Sequence, residues 1–167
     1  MDDILLNKLK SKDREIWEKA FVEAKRDRKI NELLEVLTDN DSVVSTNSAK
    51  VLSELCDARS VKPMIDHALR YRSRGGYKNN PNAPYDEKFA AEDWIKPLKL
   101  LVKCCINNIA LEELNLLAGL KDLEYSISVE YNSSSYGEGY DDYNIKISFS
   151  EVRDVANAEL KRRAQKP

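Results

Sequence analysis

Residues 33–48 read LLEVLTDNDSVVSTNS and residues 5–20 read LLNKLKSKDREIWEKA, so two stretches 28 positions apart share one pattern. In each, a leucine-rich segment precedes an aspartate, and the next segment places a branched residue four positions before a small one. Residues three or four apart lie on one face of an α-helix. Each stretch therefore predicts two short helices, A and B, joined by a turn at the aspartate. The matched positions are Leu5, Leu6, Leu9, Asp13, Ile16 and Ala20 in the first stretch and Leu33, Leu34, Leu37, Asp41, Val44 and Ser48 in the second.

The pattern continues in residues 50–69, KVLSELCDARSVKPMIDHAL. VLSEL ends the second helix B, CDARS is a short link, and VKPMIDHAL is the third helix A. Ser60 is its predicted N-cap, and Pro63 falls in the first turn, where a missing N–H costs little. Residues 111–122 predict a fourth helix A, with Leu116 and Leu117 in the places of Leu33 and Leu34, and residues 150–163 predict the last helix B. The third helix B is assigned from Leu98, Val102, Cys105 and Ile106, which match Val44, Ser48, Val51 and Leu52.

Residues 39–69 resemble the HEAT-like repeat of the phycobilisome-lyase type. That repeat has an aspartate-bearing turn, a Val-x-x-x-small helix B, a Gly-Asp-Pro-Arg-Ala-Val link and a leucine-rich helix A. The chain departs from it at Cys56 and Ala58, where the family often has glycine and proline, and keeps a common helix-B arginine at Arg153. The resemblance implies an armadillo-like α-solenoid of about four helix pairs, with units of about 1–28, 29–59, 60–109 and 110–164. Family members include protein-binding scaffolds, bilin lyases and a metal-dependent hydroxylase, so the fold leaves the activity open.

Two units are longer than the repeat requires. From the first helix-A position to the branched residue of helix B is 11 positions in units one and two, but 34 in unit three and 36 in unit four. The extra residues form insertions at about 71–93 and 123–149, both at the A–B turn. Stacked repeats place equivalent turns side by side, so both insertions are predicted to emerge from one edge. The first reads mostly as loop, because Gly75, Gly76 and two prolines interrupt it.

The second insertion carries a β-hairpin signal. YSISVEY (125–131) and YNIKISF (143–149) alternate apolar and polar residues around the loop NSSSYGEGYDD (132–142). No lysine or arginine lies between Lys121 and Lys146, whereas the first insertion begins with arginines. An isolated hairpin is marginally stable in water, so its apolar face must rest on something. Two compatible interpretations stay open: the hairpin caps the helices, or the two insertions form a recognition surface.

The predicted function is a non-catalytic scaffold or adaptor that binds another protein, as a regulator, an inhibitor or a toxin-neutralising protein. Tyrosine and arginine are favoured at protein interfaces. The predicted partner-binding residues are Arg72, Arg74, Tyr77, Tyr136, Tyr140 and Asp142. The alternative, implied only by the resemblance, is a bilin lyase-like protein that handles an open-chain tetrapyrrole. The adaptor needs no cofactor.

No catalytic or metal-binding set stands out. His67 is the only histidine and lies beside the apolar stripe of its helix, so a solvated position is expected. The hydroxylase branch uses repeated His-Glu pairs, and Ala68 follows His67. Cysteine is expected as a small apolar residue, with a metal site of Cys56, Cys104 and His67 as the open alternative.

The composition of the chain narrows the possible classes of function. Charged residues are 34% of the chain and the net charge is −2, whereas nucleic-acid binders usually have a basic excess. No stretch has the roughly 20 apolar residues that span a bilayer. Three cysteines do not indicate a disulfide framework. These features predict a cytoplasmic protein that binds neither a membrane nor nucleic acid.

Overall fold

A computed structural model describes residues 2–73, 75–133 and 137–165. Within these ranges the chain forms eight α-helices and one two-stranded antiparallel sheet. The helices are α1 (Asp3–Leu9), α2 (Arg14–Arg26), α3 (Ile30–Leu37), α4 (Ser42–Leu55), α5 (Val61–Leu69), α6 (Ala83–Cys105), α7 (Leu111–Ala118) and α8 (Ser150–Ala164), and the strands are β1 (Leu123–Ser133) and β2 (Gly137–Ile147). The prediction of a mainly α chain with one hairpin is confirmed. No helix in the described ranges has the length and apolar character needed to cross a membrane.

The aspartates of the repeat begin the B helices. Asp13 precedes α2, and its carboxylate accepts hydrogen bonds from the backbone N–H groups of Glu15 at 2.9 Å and Ile16 at 3.3 Å. Asp41, 28 residues later, caps α4 in the same way through two backbone N–H groups. Such caps satisfy backbone donors that have no partner inside the helix and contribute about 1 kcal/mol each.

The links between units also repeat. Arg28 and Cys56 lie 28 positions apart, and both adopt left-handed backbone conformations, with φ of 50° and 51°. Glycine adopts this region without strain, whereas other residues rarely do, so the two links share an uncommon backbone conformation. The cap predicted at Ser60 is only partly correct. Ser60 does precede α5, but its side chain makes no capping bond, and Asp57 instead caps the short 3-10 turn Ala58–Ser60.

Each predicted A helix packs on its B helix. The pairs are α1 with α2, α3 with α4, α5 with α6 and α7 with α8. Among neighbouring pairs, α4 contacts both α2 and α6, and α3 contacts both α1 and α5. The core lies between these helices and includes Leu33, Leu37, Leu52 and Met64, all fully buried.

The fourth unit is shifted by one residue from its predicted alignment. Leu116, matched to the buried Leu33, is 44% exposed, whereas Leu114 and Leu117 are fully buried. Leu117 therefore occupies the core position, and Leu116 faces outward. Because leucines occur at positions 114, 116 and 117, the sequence is compatible with either alignment. The packing of α7 on α8 shows which one applies.

The first insertion is half helical, contrary to the loop prediction. α6 begins at Ala83, so residues 83–93 extend the third helix B by about three turns. Pro84 is in its first turn, where proline disrupts no helical hydrogen bond. The proline that suggested a loop is therefore a helix-start signal.

The hairpin is longer than predicted. Its strands pair from Leu123 with Ile147 to Ser133 with Gly137, so they extend through most of the expected loop 132–142. One face buries the alternating apolar residues Ile127, Val129, Ile145 and Ile147. α6 packs against β2, which confirms that the apolar face of the hairpin rests on the helices.

Candidate functional site

The two insertions meet, as predicted from their equivalent positions in the repeat. Glu130 of β1 donates its backbone N–H to the carbonyl of Tyr77 at 3.0 Å, and its carbonyl accepts from the N–H of Asn79 at 2.8 Å. The Lys78 ammonium lies 3.0 Å from the Glu130 carboxylate. Residues 77–79 thus add a short parallel segment to the outer edge of β1. We call the surface formed by residues 71–93 and 123–149 the insertion edge.

A buried carboxylate holds the insertion edge together. Glu87, on the inserted part of α6, is fully buried. It accepts hydrogen bonds from the hydroxyls of Tyr71 at 2.9 Å, Tyr77 at 2.5 Å and Tyr125 at 2.9 Å. Tyr71 and Tyr77 come from the first insertion and Tyr125 comes from the hairpin, so one side chain joins the two insertions.

The Glu87 cluster keeps its charge despite its burial. Burial alone would raise the pKa of the Glu87 carboxyl, but hydrogen bonds from Tyr77, Tyr71, Tyr125 and Ser73 outweigh it and hold that pKa below its ordinary value. Burial and the neighbouring Glu87 charge raise the pKa of the Tyr125 hydroxyl. Tyr125 therefore stays a protonated donor and Glu87 stays an acceptor, which suits a structural cluster more than proton transfer.

The predicted partner-binding residues are separated by this arrangement. Tyr77 is half-buried, and its hydroxyl donates a hydrogen bond to Glu87 within the chain. Arg72 lies instead beside a groove of about 350 Å³ between α4 and α6, where it donates to the carbonyl of Tyr71 at 2.8 Å. Arg74 and Tyr136 lie outside the described residues.

Tyr140 and Asp142 lie together on the outward face of the hairpin. Tyr140 pairs with Glu130 across the sheet and is 67% exposed. Asp142 pairs with Ser128, whose hydroxyl donates to the Asp142 carboxylate at 2.5 Å. These two of the six predicted residues share one exposed surface.

Sequence reasoning missed two aromatic residues on the inserted part of α6. Tyr85 is 72% exposed and Phe89, one turn later, is 64% exposed. Their four-residue spacing is a helical signal, but it was hidden by the assignment of this segment to a loop. Within the described residues, the highly exposed aromatic side chains are Tyr85, Phe89 and Tyr140, and all three belong to the insertion edge.

His67 is buried, contrary to the solvated position expected for it. Its ring is only 1% exposed and stacks on Trp94 of α6, with ring centroids 4.2 Å apart. Burial, followed by the charge of Arg70, lowers the pKa of His67 to about 4. The periodicity of α5 correctly places His67 beside the apolar stripe. The ring is buried because Trp94 of α6, which is distant in the sequence, packs on it.

Two cysteines are paired, contrary to the expectation from their odd number. Cys56, at the end of α4, forms a disulfide with Cys104 in the last turn of α6, with Cα atoms 5.7 Å apart. The pair is therefore not available for the alternative metal site with His67, and no cluster of three candidate metal ligands occurs in the described part of the chain. Disulfides are typical of oxidising compartments, which weighs against the cytoplasmic location expected from composition.

Comparison of the chain with protein-family models, with curated proteins and with solved structures found no match.

Proposed function

We propose that this chain is a non-catalytic adaptor that binds another protein through its insertion edge. The observation that carries the proposal is the location of Tyr85, Phe89 and Tyr140, which are each more than 60% exposed and all lie in the insertions. Aromatic side chains are enriched at protein interfaces, where a few of them supply most of the affinity.

We further propose that the helix pairs form a short α-solenoid of the HEAT-like type. The packing of α4 between α2 and α6, and of α3 between α1 and α5, supports this arrangement. So does the shared backbone conformation of Arg28 and Cys56 in successive links. In such a scaffold each unit contacts only its neighbours, so an insertion at one turn leaves the other units unchanged.

The buried Glu87 cluster favours binding by fixing the edge in advance. Tyr71, Tyr77 and Tyr125 attach both insertions to α6, and Phe89 and Tyr85 project from the same helix. A surface that is ordered before binding loses less conformational entropy when the complex forms. Lys78 and Glu130 of the edge already pair with each other, and the Lys78 side chain is 65% exposed, so these two groups contribute little affinity. They set association rate and salt sensitivity instead.

The test is quantitative affinity purification from the organism that encodes the chain. The wild type is compared with Tyr85→Ala plus Phe89→Ala and with Tyr140→Ala. The matched control is Ile4→Ala plus Val22→Ala, because these aliphatic side chains are 71% and 69% exposed and lie outside the insertions. All variants should keep the wild-type circular dichroism spectrum and melting temperature.

The expected result is a partner recovered by the wild type and by the control, but reduced at least about tenfold with the Tyr85 and Phe89 variant, as for interface hot spots. Equal recovery by all variants would remove the insertion edge from consideration. It would direct attention to the groove between α4 and α6 that Arg72 lines.

A further inference from the structure

The hairpin has one covered edge and one free edge. Residues 77–79 occupy the outer edge of β1 through the two backbone hydrogen bonds to Glu130. In the described part of the chain, β2 pairs with β1 alone. An unpaired strand edge is a template on which another extended chain can form backbone hydrogen bonds.

The hydrogen bonds of Glu130 identify the backbone groups that point out of the β2 edge. Both the N–H and the carbonyl of Glu130 are directed away from β2, toward Asn79 and Tyr77. Glu130 and its partner Tyr140 are therefore a pair without mutual hydrogen bonds, and such pairs alternate along an antiparallel ladder. The outward-pointing backbone groups of β2 thus belong to Tyr140, Asp142 and Asn144.

The side chains at the free edge are acidic and carry no basic partner. Asp141 and Asp142 are exposed, and no lysine or arginine among the described residues pairs with either. At the other end of the hairpin, Asp122 pairs with Arg153 and Glu124 pairs with Lys146. The hairpin acids that have no basic partner, Asp141 and Asp142, therefore lie beside the unpaired backbone groups of β2.

This charge distribution indicates which kind of chain can pair with the free edge of β2. If a second copy of the chain paired through the same part of β2, its Asp141 and Asp142 would lie near those of the first copy, and like charges across strands are destabilising. An extended segment with alternating lysine or arginine would place its basic side chains on the face that carries Tyr140 and Asp142, where their alkyl stems can cover the Tyr140 ring.

We propose that the free edge of β2 binds an extended basic segment of the partner protein, which adds to the hairpin as a third strand. This inference rests on the proposed function and names the chemistry of its partner. The backbone of Tyr140, Asp142 and Asn144 supplies the hydrogen bonds, and Asp141 and Asp142 supply the charge preference. Strand addition is an established mode of peptide recognition.

The test uses a capped peptide of alternating lysine and valine, with an identical peptide of glutamate and valine as the charge control. Binding is measured by fluorescence anisotropy and by the shifts of backbone amide signals in NMR spectra. The lysine peptide should saturate the chain and shift the amides of Tyr140, Asp142 and Asn144 most strongly. The glutamate peptide should not bind.

Two variants separate the backbone contribution from the charge contribution. Asn144→Pro removes an N–H that points to solvent, which an edge strand tolerates. It should keep the hairpin and weaken peptide binding about tenfold, because one main-chain bond is lost and the edge is blocked. Asp141→Asn plus Asp142→Asn keeps the shape of both side chains and should weaken binding and its salt dependence. The control Glu112→Gln plus Asp154→Asn removes equal charge elsewhere and should leave binding unchanged.

Failure to bind the lysine peptide, or undiminished binding by both Asn144→Pro and the double-asparagine variant, would overturn strand addition. A dimer that Asn144→Pro dissociates would show that the occupant is a second copy, which also overturns it. Retention of the native partner by Asn144→Pro, together with its loss from the Tyr85 and Phe89 variant, would refute the β2 site and leave the proposed function standing. Retention by both would refute both proposals.

Discussion

The second helix pair, α3 and α4, and the inserted segment 71–93 each contain a helix, but they differ in the main contacts that hold them in place. The pair buries leucines such as Leu33, Leu37 and Leu52, and its main internal polar contact is the hydroxyl of Ser48 on the carbonyl of Leu33. The inserted segment buries the carboxylate of Glu87 and leaves Phe89 exposed. The repeat therefore supplies apolar stability, whereas the insertion is anchored by polar bonds that leave apolar side chains free for contact.

The largest expected effect comes from placing a charge in the repeat. Leu33→Asp puts an unpaired carboxylate in a fully buried position and should lower the free energy of unfolding by more than about 4 kcal/mol. Urea denaturation measures this change. The matched control is Leu116→Asp, at a position that the sequence pattern treats as equivalent but that is 44% exposed. It should cost less than about 1 kcal/mol; a similar loss in both variants would contradict the one-residue shift of the fourth unit.

The second effect concerns the Cys56–Cys104 disulfide, which joins helix B of unit two to helix B of unit three. The cysteines are 48 positions apart, so loop-closure entropy predicts a loss of about 4 kcal/mol on reduction. Titration of the denatured protein with a thiol reagent should find one free thiol, Cys105, before reduction and two more afterwards. Three free thiols in the unreduced protein, or an unchanged melting temperature after reduction, would show that the repeat needs no such link.

The third effect is a pH dependence at the contact between α5 and α6. His67 of α5 is neutral against Trp94, and its pKa of about 4 lies below the value of about 6.5 in an unfolded chain. The stabilisation is complete above pH 6.5 and is lost as pH falls toward 4, because the unfolded chain binds a proton that the folded chain does not. The total loss is about 3 kcal/mol.

His67→Phe preserves a ring against Trp94 and should remove this dependence. The comparison is best made between about pH 6.5 and 5, where most carboxyl groups are still ionised. Since His67 is the only histidine, no other imidazole contributes. Parallel stability curves for the wild type and the variant would contradict the buried neutral ring.

The smallest stability effect should be confined to the insertion edge. Tyr125→Phe removes one hydrogen bond to the buried Glu87 carboxylate and should cost about 1.5–3 kcal/mol. Hydrogen exchange should accelerate in the hairpin and near Tyr77 but not in α1 to α4. Tyr131→Phe is the matched control, since the Tyr131 hydroxyl has only a 3.5 Å contact with that of Tyr143. Equal acceleration in the repeat helices would mean that the two regions do not behave separately.

The sequence predicted the helices of the first two pairs well because both pairs carry the same boundary signals. Asp13 and Asp41 cap helices, and the spacing of leucines defines their buried faces. It predicted the hairpin from strict alternation, and the meeting of the insertions from their equal places in the repeat. It could not predict what depends on distant partners: the burial of His67 under Trp94, the Cys56–Cys104 pair, or the convergence of three tyrosines on Glu87. The prolines led to a loop prediction for the segment where α6 begins. The sequence therefore also failed to predict that Tyr85 and Phe89 would be exposed on one helix.

The most direct test of the account is hydrogen–deuterium exchange of the whole chain, measured with and without its purified partner. If the insertion edge binds the partner, exchange should slow in residues 137–147, above all at the amides of Tyr140, Asp142 and Asn144, and in the segment 75–93. Exchange in α1 to α3 should stay unchanged. Protection confined to α2 and to the α4 face that carries Val43 and Lys50, with β2 unaffected, would contradict the account and assign binding to the repeat helices.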